Sequence, residues 1–465
     1  MLTRAPECKV CFCDGVAKRV TRGVLRDPFL LQHGDRVLCA VTGGPSSTAL
    51  LNALTQVRST LLPRRERGRV TFDLAAVHVD ESAALGEPEV DEARVRSVVA
   101  SASAATDPGR ASLGGKQLRE LQRGRGGGGA AAAEAPAPGG GAGGGSGGGA
   151  PASPWDGTGE CAHGVRVWWV DLAWVMSERA GVAPSAVDAG PLAGADELRW
   201  ARAGAFAGRA PQECRDRLAR VLGAVQDPSQ REDVAAHLRH ALLLAVAGAW
   251  RCNKLAVGDS ATRMAVRTVE RSSKGRGEGL PGELQAVDAR ASRAWGGATV
   301  VRPCREVLAR DLAAYAHLMG LGGAGGPTLA SAMSARSEEA GAVLKGTIGA
   351  LCERFLETMQ AEGGTTTHTV LNSASRLRAF GFNRPGAMAP PPVRSPVDVR
   401  LPLGEKSPGP EAAVVLCRLC LSPGAVGAPE MCLACREVAD GAAGGAGAFC
   451  ALLEGTFAWA PAADA

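Results

Sequence analysis

Short apolar runs alternate with amphipathic segments along this chain, and the alternation predicts strands that are followed by helices. The first apolar run, residues 36–41, leads into an amphipathic segment at 47–61, and a longer apolar run follows at 70–79. A near-continuous apolar run is typical of a parallel strand that is covered on both faces. Further strands are predicted at 165–170, 254–257 and 298–301, and further helices at 90–103, 230–249, 261–269, 306–319, 335–360 and 369–380.

This order of elements predicts an α/β fold with a doubly wound parallel sheet, in which ligands bind beyond the carboxyl ends of the strands. Glycine pairs allow a positive φ and a close approach of a ligand, and a helix N-terminus favours an anion. The sequence therefore predicts a phosphate or pyrophosphate site at this edge. The residues that fall there are the loop Thr42, Gly43, Gly44, Pro45, Ser46 and Ser47, then Asp80, then the turn Gly258, Asp259 and Ser260.

Each charged residue near these strand ends has two interpretations. Asp80 and Asp259 can contact magnesium or a ribose, or they can cap the helices that follow. Arg263 and Arg267 lie one helical turn apart and can reach phosphate or RNA, or they can form a solvated face. Arg302 is expected at the rim of the crevice. The residues alone leave these alternatives open.

The cysteines predict metal chemistry near the end of the chain. Two C-x-x-C pairs, Cys417 with Cys420 and Cys432 with Cys435, have eleven residues between them. Four thiolates at this spacing can close a tetrahedral structural zinc site, and the alternatives are unrelated thiols or a redox pair. Cys8 and Cys11 form half of a similar site, whose partner pair is absent.

No catalytic nucleophile is predicted. The isolated Cys161, Cys252 and Cys304 are expected to be small buried hydrophobic residues. His237 and His240 are expected to share one face of a helix.

Composition sets the organisation of the 465 residues. The chain is long enough for two or three domains, its 62 glycines include a low-complexity run, and its net charge of +5 permits a tRNA partner without requiring one. No stretch has the length of a membrane span, and no signal-peptide core opens the sequence, so a cytosolic protein with reduced thiols is expected. The predicted units are a cysteine-containing lead (1–33), an α/β domain (34–325) with a disordered insertion (about 106–157), a helical extension (326–384), a proline-rich linker (385–414), a four-cysteine zinc module (415–440) and a tail (441–465).

The loop at 42–47 resembles the S-G-G-x-D-S loop of the PP-loop ATP pyrophosphatases, which adenylate a carbonyl oxygen. Ser46 stands where those enzymes have aspartate. The run 258–265 is close to G-D-S-x-T-R-L-A, and 77–81, 300–303, the N-terminal cysteine pair and the four-cysteine module match further motifs. Together these segments resemble the cytoplasmic tRNA 2-thiolation protein 2 family.

The resemblance implies an adenine nucleotide alpha hydrolase-like fold and a role in the 2-thiolation of wobble uridine in cytosolic tRNAs for Lys, Glu and Gln. It implies a heterodimer with a catalytic first subunit, and sulfur from a thiocarboxylated ubiquitin-related modifier. ATP with magnesium is an expected ligand, in this chain or only in the partner. Since Ser46 replaces the aspartate, we expect a supportive subunit. The alternatives are a self-sufficient PP-loop tRNA-modifying enzyme and a non-catalytic, zinc-dependent RNA-binding protein.

Overall fold

The computed structural model describes residues 8–26, 30–61, 72–82, 165–178, 206, 208–295, 297–321, 346–374, 377, 416–423 and 430–459. The predicted helix at 90–103, the insertion at 106–157 and the linker at 385–414 lie outside the described residues.

A six-stranded sheet organises the fold. Its strands are β1 Arg36–Ala40, β2 Asp73–Asp80, β3 Arg166–Asp171, β4 Lys254–Ala256, β5 Val287–Asp288 and β6 Thr299–Val301. The strand order is β3-β2-β1-β4-β6-β5, and all neighbouring strands are parallel except β5, which is antiparallel to β6 at the edge. This order confirms the prediction of a doubly wound parallel sheet, and the strand order reverses between β1 and β4, where such folds bind ligands.

Helices cover both faces of the sheet. In chain order they are α1 Lys9–Arg26, α2 Pro45–Leu61, α3 Gln212–Ala224, α4 Pro228–Ala249, α5 Ala261–Ser273, α6 Leu280–Glu283, α7 Arg290–Trp295, α8 Ala309–Leu318, α9 Ile348–Gly363, α10 Thr366–Ala374, α11 Leu433–Gly441 and α12 Gly445–Leu453. Alternate residues of β1 point to opposite sides: Val37 and Cys39 join one apolar cluster with α1, α2 and α8, while Leu38 joins the other with α3 and α4.

Several elements differ from the sequence-based expectation. Strand β5 was not predicted, because two residues carry no periodicity. Helix α1 fills much of the N-terminal lead and packs on α2 and α8 through Val16 and Val20. Helix α12 lies in the segment expected to be a tail and packs on α3. Helix α9 begins at Ile348, and residues 335–345 of the predicted helix lie outside the described part. None of the described helices has the length and apolar character needed to cross a membrane.

Candidate functional site

The loop between β1 and α2 is held together by its own hydroxyl groups. Gly43 has a φ of 80°, the left-handed conformation that favours glycine. The Ser47 Oγ accepts from the Thr42 N–H at 3.2 Å and donates to the Gly44 carbonyl at 3.0 Å, while the Thr48 Oγ1 donates to the same carbonyl at 2.6 Å. The structure therefore presents a preformed turn at a helix N-terminus, with the Ser47 hydroxyl already engaged within it.

The turn after β4 lies directly against this loop. A Cβ atom added to Gly258 would stand 2.9 Å from the Ser47 Cα and 3.0 Å from the Ser47 N, so only glycine permits the approach. Segments 42–47 and 258–260, more than two hundred residues apart in sequence, form one surface where the strand order reverses. The expectation that they share one edge of the sheet agrees with this geometry.

Asp80 lies at the same edge, at the end of β2, and pairs in register with Asp171 of β3. Its carboxylate accepts from the Ser82 N–H at 2.9 Å and from the Ser82 Oγ at 3.0 Å. His78 connects β2 to the loop, because its Nδ1 lies 2.8 Å from the Val41 carbonyl oxygen. Asp80 thus stabilises the turn that follows its own strand. The residues after Ser82 lie outside the described part of the chain, so the capping and ligand alternatives for Asp80 stay open.

Asp259 is not the helix cap that the sequence allowed. The N-cap of α5 is Ser260, whose side chain accepts from the Arg263 N–H. The Asp259 carboxylate instead accepts from both terminal nitrogens of Arg267, at 2.9 and 3.2 Å, and from the Arg302 Nε at 3.2 Å. Burial alone would raise the pKa of Asp259, but the guanidinium groups of Arg267 and Arg302 hold that pKa well below its usual range. Its charge is therefore already compensated.

The arginines also differ from expectation. Arg302, expected at the crevice rim, is buried and bridges Asp259 and Asp288. Arg267 is committed to Asp259, which makes it part of a partly buried ion pair instead of a solvated face. Arg263 is more open, with 42% of its side chain exposed and a Glu353 oxygen 3.7 Å away. Nothing in the sequence pattern around Asp288 signals its pairing with Arg302, which follows strand β6.

The second candidate site is the cysteine quartet. The Sγ atoms of Cys417, Cys420, Cys432 and Cys435 all lie within 4.8 Å of one another. The first pair sits in a tight turn, in which the Leu421 N–H donates to the Cys417 carbonyl at 2.9 Å and Leu421 has a φ of 61°. Cys432 is the N-cap residue of α11, so the second pair straddles the start of a helix.

The donor set of this quartet fits a metal ion. The Sγ atoms of Cys420 and Cys432 are 3.5 Å apart, too long for a disulfide and close to the spacing of two thiolates on one tetrahedral ion. Soft thiolate donors select zinc or an iron–sulfur cluster. Among the described residues this is the one group of three or more metal-ligating side chains that meets in this way.

The other cysteines have different surroundings. Cys8 and Cys11 are exposed at the start of α1, where the Cys11 N–H donates to the Cys8 Sγ at 3.4 Å. Cys252 and Cys304 are buried, and burial raises the pKa of each thiol to about 12. This agrees with their expected role as small hydrophobic residues, whereas Cys161 lies outside the described residues.

Comparison with curated proteins finds several relatives named cytoplasmic tRNA 2-thiolation protein 2. The protein from Dictyostelium discoideum is 29% identical over 149 residues, which make up 32% of this chain and 26% of that protein. The protein from Arabidopsis thaliana is 28% identical over 37% of this chain and 33% of its own length. The Xenopus laevis protein 2-B is 22% identical over 81% of this chain and 66% of its own length. No protein-family profile matches the chain.

These relatives confirm the sequence resemblance to the cytoplasmic tRNA 2-thiolation protein 2 family. The matches span between about a quarter and two thirds of the relatives' own lengths. Among solved structures, the U34-tRNA thiolase NcsA from Methanococcus maripaludis, determined with its 4Fe-4S cluster, aligns over 80% of each chain with 13% identity and a TM-score of 0.40. The fold assignment therefore depends on the strand order described above.

Proposed function

We propose that this protein is the supportive subunit of a heterodimeric tRNA thiouridylase. The complex 2-thiolates the wobble uridine of cytosolic tRNAs for Lys, Glu and Gln on the way to 5-methoxycarbonylmethyl-2-thiouridine. The observation that carries the proposal is the contact of Gly258 with Ser47, since it joins the two motifs of the family resemblance at the edge of the sheet where nucleotides bind.

The residues of the crevice favour a supportive role for this subunit and not a catalytic one. Ser46 provides no carboxylate where PP-loop enzymes have aspartate, and the Ser47 hydroxyl is already engaged within the loop. Asp259 is compensated by two arginines, which makes it a poor magnesium ligand. Cys252 and Cys304 are buried thiols, unsuited to carrying activated sulfur. Adenylation and sulfur transfer are therefore assigned to the partner subunit.

In this assignment the chain helps to bind the substrates and stabilises the structure of the complex. The first N–H groups of α2 point out of the helix end toward the crevice mouth, where they can hold a phosphate group of ATP or of tRNA. Cys417, Cys420, Cys432 and Cys435 would hold a structural zinc ion, which fixes two chain segments whose apolar residues pack in the same cluster as Leu38 of the sheet. The partners are the first PP-loop subunit, tRNA and the thiocarboxylated ubiquitin-related modifier, in the cytoplasm.

Reconstitution tests the proposal. The chain, the first subunit, the thiocarboxylated modifier, ATP and tRNA are combined, then each component is omitted in turn, and thiolated uridine is measured by mass spectrometry of tRNA nucleosides. We expect thiolation only when both subunits are present, and no conversion of ATP to AMP by this chain alone.

Two other outcomes would assign a different function. Thiolation or AMP formation by this chain alone would make it a self-sufficient PP-loop enzyme, and Ser46→Asp should then leave its activity no higher. Tight tRNA binding with a steep salt dependence, no affinity for adenine nucleotides and no effect on thiolation would make it a zinc-dependent RNA-binding protein.

A further inference from the structure

A series of buried polar contacts connects the cysteine quartet to the crevice. It starts at Leu421, the residue that follows Cys420, whose carbonyl accepts from the Arg290 Nη1 at 3.2 Å. The same guanidinium binds Asp288 with two further hydrogen bonds, from Nε at 2.9 Å and from Nη2 at 2.7 Å. Arg290 therefore uses all three of its nitrogens to join the metal-site turn to strand β5.

The series continues from β5 to the turn that contacts the phosphate loop. The Asp288 Oδ2 lies 3.5 Å from the Arg302 Nη2, and the Arg302 Nε donates to the Asp259 Oδ2 at 3.2 Å. Asp259 adjoins Gly258, whose Cα faces the backbone of Ser47. Four charged side chains thus span the distance between the two candidate sites with direct contacts.

The composition of this series indicates a role beyond stability. Asp288 is 3% exposed, and Arg290 and Arg302 are each 4% exposed. Apolar residues of the same volume would often give equal or greater stability, because buried ions lose their hydration. What the ion pairs provide is a fixed geometry, since a planar guanidinium with several acceptors tolerates little displacement of any one of them.

A second contact joins the same turn to the α/β body. A Cβ atom added to Gly279 would lie 2.7 Å from the Ser422 Oγ, so residues 421 and 422 both touch the body. The Leu421 backbone position depends on the turn formed by Cys417 and Cys420, and a bound metal ion would fix that turn.

We propose that Arg290 and Asp288 are positioning residues that couple occupancy of the cysteine quartet to the conformation of the crevice turn at 257–260. With metal bound, the Leu421 carbonyl is held in place, Arg290 keeps Asp288 oriented, and Arg302 keeps Asp259 and Gly258 against the phosphate loop. Without metal, Arg290 loses its backbone acceptor and the crevice turn loosens. This coupling depends on the proposed function in one respect only: the proposed function supplies the ligand that binds in the crevice.

Hydrogen exchange of the full chain tests this coupling without any activity measurement. The protein is compared as purified with metal and after removal of metal by a chelator, with the metal content measured in each sample. In the wild type we expect metal removal to speed amide exchange in peptides covering 255–263 by about tenfold or more, in addition to its effect on 416–441. Peptides covering β2, on the far side of β1, serve as the internal reference for global loosening.

The paired variant Arg290→Met with Asp288→Asn removes both charges together, so that neither is left buried alone. We expect it to keep its metal and to lose the response of 255–263 to metal removal. The matched control is Arg217→Met, which deletes another arginine that donates to backbone carbonyls, those of Leu452 and Glu454, but lies outside the series. The control should keep the full response.

Two results would overturn the coupling. One is a wild-type crevice peptide that exchanges at the same rate with and without metal, or that changes no more than the β2 reference. The other is a paired variant that folds, binds metal and responds as the wild type does. Since the wild-type measurement needs no substitution, a variant that fails to fold still leaves the proposal testable. A failure of tRNA thiolation would contradict the proposed function and would leave this result standing.

Discussion

Gly258 and Ser47 approach each other so closely that a Cβ atom on Gly258 would lie 2.9 Å from the Ser47 Cα. Ser47 lies in the first turn of α2, which follows β1, and Gly258 lies in the turn after the neighbouring parallel strand β4. The strand order reverses between these two strands. The contact turns two separate sequence motifs into one surface, and it explains why glycine stands at position 258.

The first prediction concerns that contact. Gly258→Ala is expected to push the phosphate loop away from the turn and to lower the free energy of unfolding by about 1–3 kcal/mol, the usual cost of overpacking. Urea unfolding measures the change. Gly223→Ala is the matched control, since its added Cβ meets nothing within 4 Å in helix α3, and it should be neutral or stabilising by up to about 1 kcal/mol. Equal effects at both positions would contradict the close approach.

The second prediction separates an anchoring role of Asp259 from a ligand role. Asp259→Asn leaves Arg267 and Arg302 without their shared carboxylate, and the loss of charge-assisted hydrogen bonds in this partly buried group costs about 1.5–3 kcal/mol. Asp80→Asn keeps an oxygen that can accept from the Ser82 N–H, so a smaller loss of about 1 kcal/mol is expected. If Asp259→Asn unfolds like the wild type and loses only nucleotide affinity, then Asp259 is a ligand instead of an anchor.

The third prediction concerns the metal. Cys432→Ser is expected to reduce the bound zinc, measured by elemental analysis, by at least about tenfold, because the remaining three thiolates no longer close a tetrahedral site. Cys450→Ser is the control: its Sγ lies 3.9 Å from the Met431 Sδ, next to the quartet but outside it. If the protein contains iron instead of zinc and shows the visible absorption of an iron–sulfur cluster, the four cysteines are still the metal site, but the bound group is a cluster and not a zinc ion.

The sheet and the cysteine quartet could be predicted from the sequence, because each depends on the spacing of residues that are close together along the chain. Apolar runs of strand length gave β1 to β4 and β6, and two C-x-x-C pairs gave the metal group. The partners of Asp259 could not be predicted in this way, because its carboxylate is paired with Arg302, which follows another strand, and no periodicity marks such a contact. The capping prediction was wrong at Asp259 for a related reason, since Ser260, one residue later, takes the N-cap position.

The missed helices have another explanation. Helix α1 carries its buried valines among several charged residues, and α12 is a short run rich in glycine and alanine. In α1 the buried Val16, Val20 and Val24 recur at helical spacing, so this helix could have been predicted from the sequence, whereas in α12 only Phe449 and Leu453 are buried. Both helices pack on neighbouring helices, α1 on α8 and α12 on α3. Tertiary packing thus decides such segments more than intrinsic propensity does.

The last prediction is that the free energy of unfolding decreases in mild acid, because His240 takes up a proton more readily in the unfolded chain than in the folded chain. Burial lowers the pKa of His240 to about 4 in the folded chain, while the unfolded value is near 6.5. The neighbouring charges are Asp288 and Glu283, which raise this pKa, and Arg290 and Arg302, which lower it. Between pH 6.5 and 4 the unfolded chain binds a proton that the folded chain does not, so the stability is complete above pH 6.5 and falls as the pH drops.

Urea unfolding at pH 7.5, 6.5 and 5.5 measures this effect, with the metal content verified at each pH because acid also releases thiolate-bound metal. A shift of this size corresponds to a loss of at most about 3 kcal/mol once the pH is below both pKa values, and to about 1 kcal/mol at pH 5.5. His240→Gln, which cannot be protonated, should reduce the loss by that amount, whereas His317→Gln, at an exposed position on α8, should follow the wild type. Equal pH dependence in the wild type and His240→Gln would mean that the pKa of His240 is the same in the folded and unfolded chain, against the lowering expected from its place beside Arg290 and Arg302.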